Sequence, residues 1–203
     1  MNAPERQICK GRPREFCTEQ ALAAALAVFW TKGYEASSLT DLTEAMGITR
    51  PSLYAAFGNK EELFRKALDL YEREKLAYIG EALAEPTSRG VAERLLRGAL
   101  ESLTGGAQPR GCLRVISSMT CGSEATSVQK DLHARRASSQ AALIARMETA
   151  KADGDLPADT DVEGITNYLL AILQGLSVQA NNGASPEQLE EVVRTSMAFW
   201  PGR

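Results

Sequence analysis

Residues 38–54, with the sequence SLTDLTEAMGITRPSLY, constrain the fold of this chain more than any other segment. Ser38 is followed three residues later by Asp41, a capping-box pattern that predicts where a first short helix begins. Gly47 supplies the backbone freedom that a tight turn after this helix requires. A second short helix follows the turn. Two such helices joined by a tight turn form a helix-turn-helix, whose second helix lies in the major groove of DNA.

The rest of the chain also has helical periodicity, and alternating β-branched runs and Asn-Gly hairpin turns are almost absent. We therefore predict an all-α fold of about nine helices. In the motif, the predicted apolar faces are Leu39, Leu42 and Met46, then Leu53, Tyr54 and Phe57. The other predicted helices are 18–32 ending at Gly33, 60–83, 88–103, 109–121, 124–152, one capped by Thr160 with Glu163, and one capped by Ser185 with Gln188.

The basic residues near the N-terminus form a short arm, although the net charge of the whole chain is −3. Residues 1–17 contain the sequence KGRPR, which includes Arg12 and Arg14. Such an arm can lie in the minor groove beside a helix-turn-helix site. It can equally be a solvated tail, and the sequence leaves both interpretations open.

Cysteine usage and hydropathy indicate a cytoplasmic protein without a metal site. The four cysteines form no CxxC pair and there is one histidine, His133. Cys112 and Cys121 are nine residues apart on one predicted helix, too far for a disulfide, so free thiols are expected. No run of eighteen apolar residues and no apolar leader occurs, so we expect no membrane association. No cofactor motif is present, and no cofactor is expected.

Two C-terminal segments are unusually apolar. The predicted helix at 160–181 has apolar side chains nearly all round, and the one at 185–200 has a broad apolar stripe. A central core helix in a monomer explains this pattern. The interpretation we favour is that these helices from two subunits form a four-helix homodimer interface.

The segment AVFWTKGYEASSLTDLTEAMGITRPSLYAAFGNKEELF, residues 27–64, resembles the TetR family of bacterial one-component transcription regulators. Its features occur in a specific order: an aromatic pair, a KGY turn, the helix-turn-helix and then LYxxF-GNKEELF. The resemblance implies a homodimer with a DNA-binding domain at 18–60 and a ligand-binding and dimerisation domain at 61–203. It implies a repressor that binds double-stranded operator DNA and leaves it when an unidentified small molecule binds.

The resemblance and the helix-turn-helix geometry together nominate residues that contact DNA. They are Thr40, Thr49, Arg50, Pro51, Ser52, Tyr54 and Lys60. Arg50 is long enough to bond a guanine edge through two N–H groups, although a solvated surface arginine is the alternative. Tyr54 is expected to place its hydroxyl on a phosphate with its ring in the core. Thr40 and Lys60 open helices, whose N-termini attract phosphate.

The expected ligand or sensor residues are weaker candidates. They are Cys112, Met119, Met147, Tyr168 and Gln174. Cys112 lies between Arg110 and Arg114, which favour a reactive thiolate and a redox- or electrophile-sensing regulator. An ordinary buried cysteine is the interpretation the sequence favours. A cysteine-dependent enzyme with His133 as base lacks an orienting third group, so we predict that the chain is not an enzyme. An activator or architectural DNA binder remains a further alternative.

Overall fold

The computed structural model describes residues 17–105, 111–120 and 125–202. It contains ten helices and, within those ranges, no strand, which confirms the all-α prediction. The helices are α1 Thr18–Ala36, α2 Leu39–Met46, α3 Arg50–Phe57, α4 Lys60–Lys75, α5 Ala77–Leu83, α6 Ser88–Thr104, α7 Leu113–Thr120, α8 Thr126–Ala152, α9 Val162–Asn181 and α10 Pro186–Ala198. None of them combines the length and hydropathy needed to span a bilayer.

Local capping chemistry sets the start of several helices as predicted. Ser38 and Asp41 form both bonds of a capping box at α2. The same reciprocal pair opens α4 at Asn59 and Glu62, and α10 at Ser185 and Gln188. Each pair satisfies backbone N–H groups that have no partner inside the helix.

The predicted single helix over 60–83 is wrong, and this break raises the helix count from nine to ten. Leu76 leaves helical geometry, with φ −111° and ψ 11°, so that α4 ends and α5 turns onto α6. Gly98 of α6 makes room for the Tyr78 ring of α5, because a Cβ atom at Gly98 would overlap that ring. Packing between two helices therefore causes the break.

Three further predicted boundaries differ from the structure. α1 runs to Ala36, but Gly33 (φ 78°, ψ 174°) leaves helical geometry inside it, so the regular helix is interrupted where the sequence predicts its end. Asp161, not Thr160, caps α9 by accepting a hydrogen bond from the Gly164 N–H at 3.0 Å. α7 begins at Leu113, and both ends of the predicted helix 109–121 lie outside the described residues.

The helices enclose two apolar cores. In the first, the Phe29 and Phe64 rings meet edge to face at 5.1 Å, and Trp30 and Tyr71 do so at 4.9 Å. This core joins α1–α4 and continues into α7 and α8 through Leu113, Val128 and Leu132. The second core joins α5, α6, α8, α9 and α10 through residues such as Leu96, Met147, Leu169, Leu176 and Trp200. Helix α4 therefore connects the helix-turn-helix with the helices that follow it.

Candidate functional site

The turn between α2 and α3 has the geometry that its glycine predicts. Gly47 adopts the left-handed conformation, φ 65° and ψ 30°, and its N–H donates to the Glu44 carbonyl at 3.2 Å. The N–H of Ile48 donates to the Thr43 carbonyl at 3.1 Å, which closes the end of α2. Buried side chains hold the two helices on the first core: Leu42, Met46, Leu53 and Phe57. This arrangement fixes the angle at which α3 leaves the body of the protein.

Four of the predicted DNA-contacting residues form a cluster of two hydrogen-bonded pairs at the start of α3. Thr49 caps the helix, with its hydroxyl 3.3 Å from the Ser52 backbone N and 3.0 Å from the Ser52 hydroxyl. Arg50 reaches back across the turn and donates from Nη2 to the Thr40 hydroxyl at 2.9 Å. Pro51 lies beside them and is exposed. The cluster presents a cation and several hydroxyl groups next to the free N–H groups of a helix start, which suits a DNA backbone or base edge.

Tyr54 lies on the outer face of α3, and the prediction that its ring is in the core is wrong. Half of its surface is exposed, whereas its neighbour Leu53 is fully buried. Successive residues of a helix point about 100° apart, and Tyr54 points away from the core that Leu53 enters. Arg50 and Tyr54 are one helical turn apart and both exposed, so they share an outer face of α3.

Lys60, at the start of α4, is held against the end of α1. Its Nζ lies 3.3 Å from the Glu35 carbonyl and 4.6 Å from the centroid of the Tyr34 ring. A cation over an aromatic ring at a helix N-terminus places positive charge beside the expected path of a phosphate.

Sequence reasoning missed one contact of the motif. Lys32 of α1 forms an ion pair of 2.7 Å with Asp41, the residue that also caps α2. The Lys32 hydrogen bond, together with those from Ser38, holds the pKa of Asp41 well below its usual range. No sequence pattern predicts a pair that is nine residues apart and spans a turn.

Arg12 and Arg14 lie outside the described residues, so their minor-groove role stays a prediction.

A cavity of about 400 Å³ lies among α4–α9. Of the residues named as ligand candidates, Cys112 and Gln174 line it, and so does His133. Met147 and Tyr168 do not line it. Only the N-terminal half of α8 borders the cavity, and Met147, in the other half, packs into the second core. Tyr168 points outward from α9, with 43% of its surface exposed. The side chain of Met119 lies outside the described residues.

The segment before α7 connects the cavity wall with α1 and α9. The Trp30 indole N–H donates to the Gly111 carbonyl at 2.7 Å, and the Cys112 N–H donates to the Ser177 hydroxyl at 2.7 Å. Gly111 has φ 89°, and a Cβ atom there would lie 3.2 Å from the Ser177 carbonyl oxygen. The partly buried Cys112 is thus held by the DNA-proximal core on one side and by α9 on the other.

Two tyrosines beside Cys112 stay protonated. Burial, and then the proximity of the Cys112 thiol, raises the pKa of Tyr71 well above its ordinary value. The same two causes, in the same order, raise the pKa of Tyr78, although Arg114 and Arg94 oppose them. Both hydroxyl groups therefore stay protonated at the cavity wall, where that of Tyr71 already bonds the Cys112 thiol.

An ion-pair network joins α4, α7 and α8 behind this wall. Glu72 of α4 lies between Arg135 of α8, at 2.7 Å, and Arg114 of α7, at 3.6 Å. Arg135 also pairs with Asp69 at 2.7 Å. Burial lowers the pKa of Arg135, but the bonds to Asp69 and Glu72 outweigh it and raise that pKa further above its ordinary value. Glu72 thus ties the cavity wall to the helix that follows the helix-turn-helix.

Two family models match the chain. Residues 21–67 match the family described as bacterial regulatory proteins, tetR family, and residues 92–196 match a tetracyclin repressor-like C-terminal domain. The chain belongs to the TetR family. The first TetR match contains the helix-turn-helix and the start of α4, and the second contains most of the residues that line the cavity.

Full-length relatives agree with the TetR assignment. The HTH-type transcriptional repressor ComR of Escherichia coli K12 is 34% identical over 194 residues, which cover 95% of this chain and 92% of ComR. The repressor BdcR of the same organism is 31% identical over 182 residues, which cover 88% of this chain and 86% of BdcR. The regulator CifR, solved as a cysteine variant with 26-base-pair operator DNA, is 43% identical and superposes with a TM-score of 0.87. The match covers 94% of this chain and 100% of the CifR chain. The chain is accordingly a DNA-binding transcriptional repressor, and these relatives are regulators rather than enzymes.

Proposed function

We propose that this TetR-family repressor binds its operator as a homodimer and leaves the DNA when a small molecule fills the cavity. The observation that most supports the proposal is a shared wall. Tyr71 of α4 belongs to the core beneath the helix-turn-helix and also lines the cavity. A ligand that displaces Tyr71 therefore acts on the helix that directly follows α3.

The outer faces of α9 and α10 support the homodimer. Tyr168 is 43% exposed and Phe199 is 79% exposed, which is unusual for aromatic side chains of this size. A Cβ atom added at Gly175, on the same side of α9 as Tyr168, would meet no atom within 4 Å. Apolar surface left uncovered on α9, and at Phe199 directly after α10, is what a two-fold four-helix interface needs.

The two recognition helices of a dimer must stand roughly 34–36 Å apart to enter successive major grooves. A ligand that binds better to a form with another separation shifts the population away from the DNA-binding form. The contacts of α4 and of Gly111 are suited to connect cavity and motif. The Trp30–Gly111 hydrogen bond, at 2.7 Å, joins the α7 segment directly to α1.

The test is a fluorescence anisotropy titration against the DNA upstream of the protein's own gene, at several salt concentrations. We expect tighter binding to that DNA than to a scrambled duplex, two chains per site, and weaker binding when a cavity ligand is added. Equal binding to both duplexes at every salt concentration, or no binding at low salt, would contradict the proposal.

Sensing through the Cys112 thiol is a second candidate mechanism. Cys112 lines the cavity and lies next to the Gly111 carbonyl that accepts the Trp30 hydrogen bond. Addition of its sulfur to the β carbon of an α,β-unsaturated carbonyl compound would form an S–C bond, and the thiol proton would end on the α carbon. The added group would occupy the cavity permanently.

N-ethylmaleimide, which reacts in this way, tests the candidate. We expect it to weaken operator binding by the wild-type protein and to leave the Cys112→Ser variant unaffected. Cys17→Ser is the matched control, since Cys17 is not in a disulfide and does not line the cavity. An equal loss of binding in wild type and Cys112→Ser would exclude this thiol as the sensor.

A further inference from the structure

The charged side chains that line the cavity are two arginines, Arg114 and Arg136, and His133 lies beside them. Within the part of the chain that the structure describes, the lining contains no aspartate or glutamate. The other polar groups are hydroxyls and an amide, which can donate hydrogen bonds: Tyr71, Tyr78, Ser102, Ser118, Ser139, Gln174 and Ser177. A wall of this composition suits a ligand that carries negative charge or strong acceptors.

The charged side chains of the cavity lie on α7 and α8, whereas most of its large apolar side chains come from other helices. Arg114 and Ser118 of α7 face the stretch of α8 that holds His133, Arg136 and Ser139. The Arg114 guanidinium lies 3.4 Å from the Ser139 hydroxyl, so these two helices meet as one polar wall. The opposite wall, from α5, α6, α9 and the α4–α5 junction, is mainly apolar: Leu76, Ile79, Leu95, Leu103, Leu170 and Leu173. The cavity therefore matches a ligand with a polar end and an apolar body.

The two arginines of the polar wall differ in their partners. Arg114 is 3.6 Å from Glu72, the carboxylate behind the wall, which also pairs with Arg135. Arg136 forms no hydrogen bond or ion pair with any residue in the described ranges. It is exposed, at the mouth of the cavity. The charge of Arg114 is thus already matched inside the protein, whereas Arg136 is a planar five-donor cation that has no counterion among the described residues.

We propose that the cavity binds an organic anion: a carboxylate on an apolar body, with the carboxylate paired to Arg136 and the body against the apolar wall. Arg136 can bond both oxygens of a carboxylate at once, and pairing with a cation beside apolar walls strengthens such bonds. The volume of about 400 Å³ suits an acyl or arylalkyl acid of drug-like size. The inference rests on the effector role proposed above and names the chemistry of that effector.

Calorimetric titration of the DNA-free protein tests this directly, with decanoate, dodecanoate and 4-phenylbutyrate as probes. Each acid is compared with the primary alcohol and the primary amine of the same carbon skeleton, all below their micellar concentrations. We expect the acids to bind at least about tenfold more tightly than the alcohols, because a charged hydrogen-bonded pair is lost in the alcohol. The amines should bind most weakly, since they bring a second positive charge.

Substitutions of Arg136 identify the group responsible. Arg136→Gln should lower the affinity for the acids by about tenfold and leave the affinity for the alcohols unchanged. Arg136→Lys should lower the affinity for the acids by a smaller factor. Arg73→Gln is the matched control: it removes the same charge from an exposed arginine of α4 that does not line the cavity. Circular dichroism melting of each variant establishes that it is folded.

The outcomes separate this inference from the proposed function. Equal binding of acids and alcohols, no binding of any acid, or full acid binding by folded Arg136→Gln overturns the anion inference. DNA release by a neutral ligand would then still uphold the effector-released repressor. Acid binding that depends on Arg136 but never alters operator affinity keeps the anion site and contradicts the proposed release.

Discussion

We predict that sequence readout depends most on the Arg50 side chain. Its bond to the Thr40 hydroxyl, at 2.9 Å, holds the long side chain across the turn before any DNA is present. An arginine held in this way loses less side-chain entropy on binding than a free one. We expect Arg50→Lys to weaken this readout, because an ammonium group lacks the planar fork with which arginine bonds two acceptors of a guanine edge.

Substitutions of Arg50 and of Lys60 should change DNA binding in different ways. Arg50→Ala should relax discrimination at one base position by about 1–3 kcal/mol, since only base contacts carry sequence information. Lys60→Ala should weaken binding to all sequences alike and reduce the salt slope by about one. Anisotropy titrations over single-base operator variants at several salt concentrations measure both effects. Lys130→Ala, an exposed lysine of α8, is the control. A uniform loss for Arg50→Ala would show that it contacts only phosphate.

Local chemistry made several elements predictable, and packing between distant segments made others unpredictable. The caps at Ser38 and Asn59 depend on residues three positions apart, so the sequence predicts them. The break at Leu76 depends on where Tyr78 meets Gly98, and no local pattern marks it. The cavity depends on side chains from several helices, so the sequence could nominate Cys112 but not its surroundings.

At the scale of elements, the contact of α1 with the α7 segment should transmit the ligand signal. Trp30→Phe keeps an aromatic ring but removes the indole N–H that bonds the Gly111 carbonyl at 2.7 Å. We expect a stability loss of about 1–3 kcal/mol, because a buried carbonyl loses its partner. We also expect the ratio of operator affinities without and with ligand to move toward one. Denaturant melts measure the stability loss, and anisotropy titrations with and without ligand measure the ratio of operator affinities. Trp200→Phe, in the second core, is the control and should keep the ratio.

The whole molecule is expected to work as a pair of chains. Tyr168→Glu should convert the dimer into a monomer, because a charge on the apolar α9 face would be desolvated in the interface. Sedimentation equilibrium measures the change, and operator affinity should fall with it, since one recognition helix replaces two. Ser138→Glu, which adds the same charge on an exposed position of α8, should remain dimeric. A dimeric Tyr168→Glu protein would place the interface elsewhere.

The separation of the two recognition helices in solution tests the central claim most directly. Spin labels at Glu44→Cys, on exposed α2 surface and with the native cysteines replaced by serine, allow pulsed electron resonance to measure the distance between the two copies. On operator DNA we expect a narrow distribution, and with a ligand that lowers operator affinity a distribution centred at a different distance. The same distribution in both states would contradict release through a change in helix spacing.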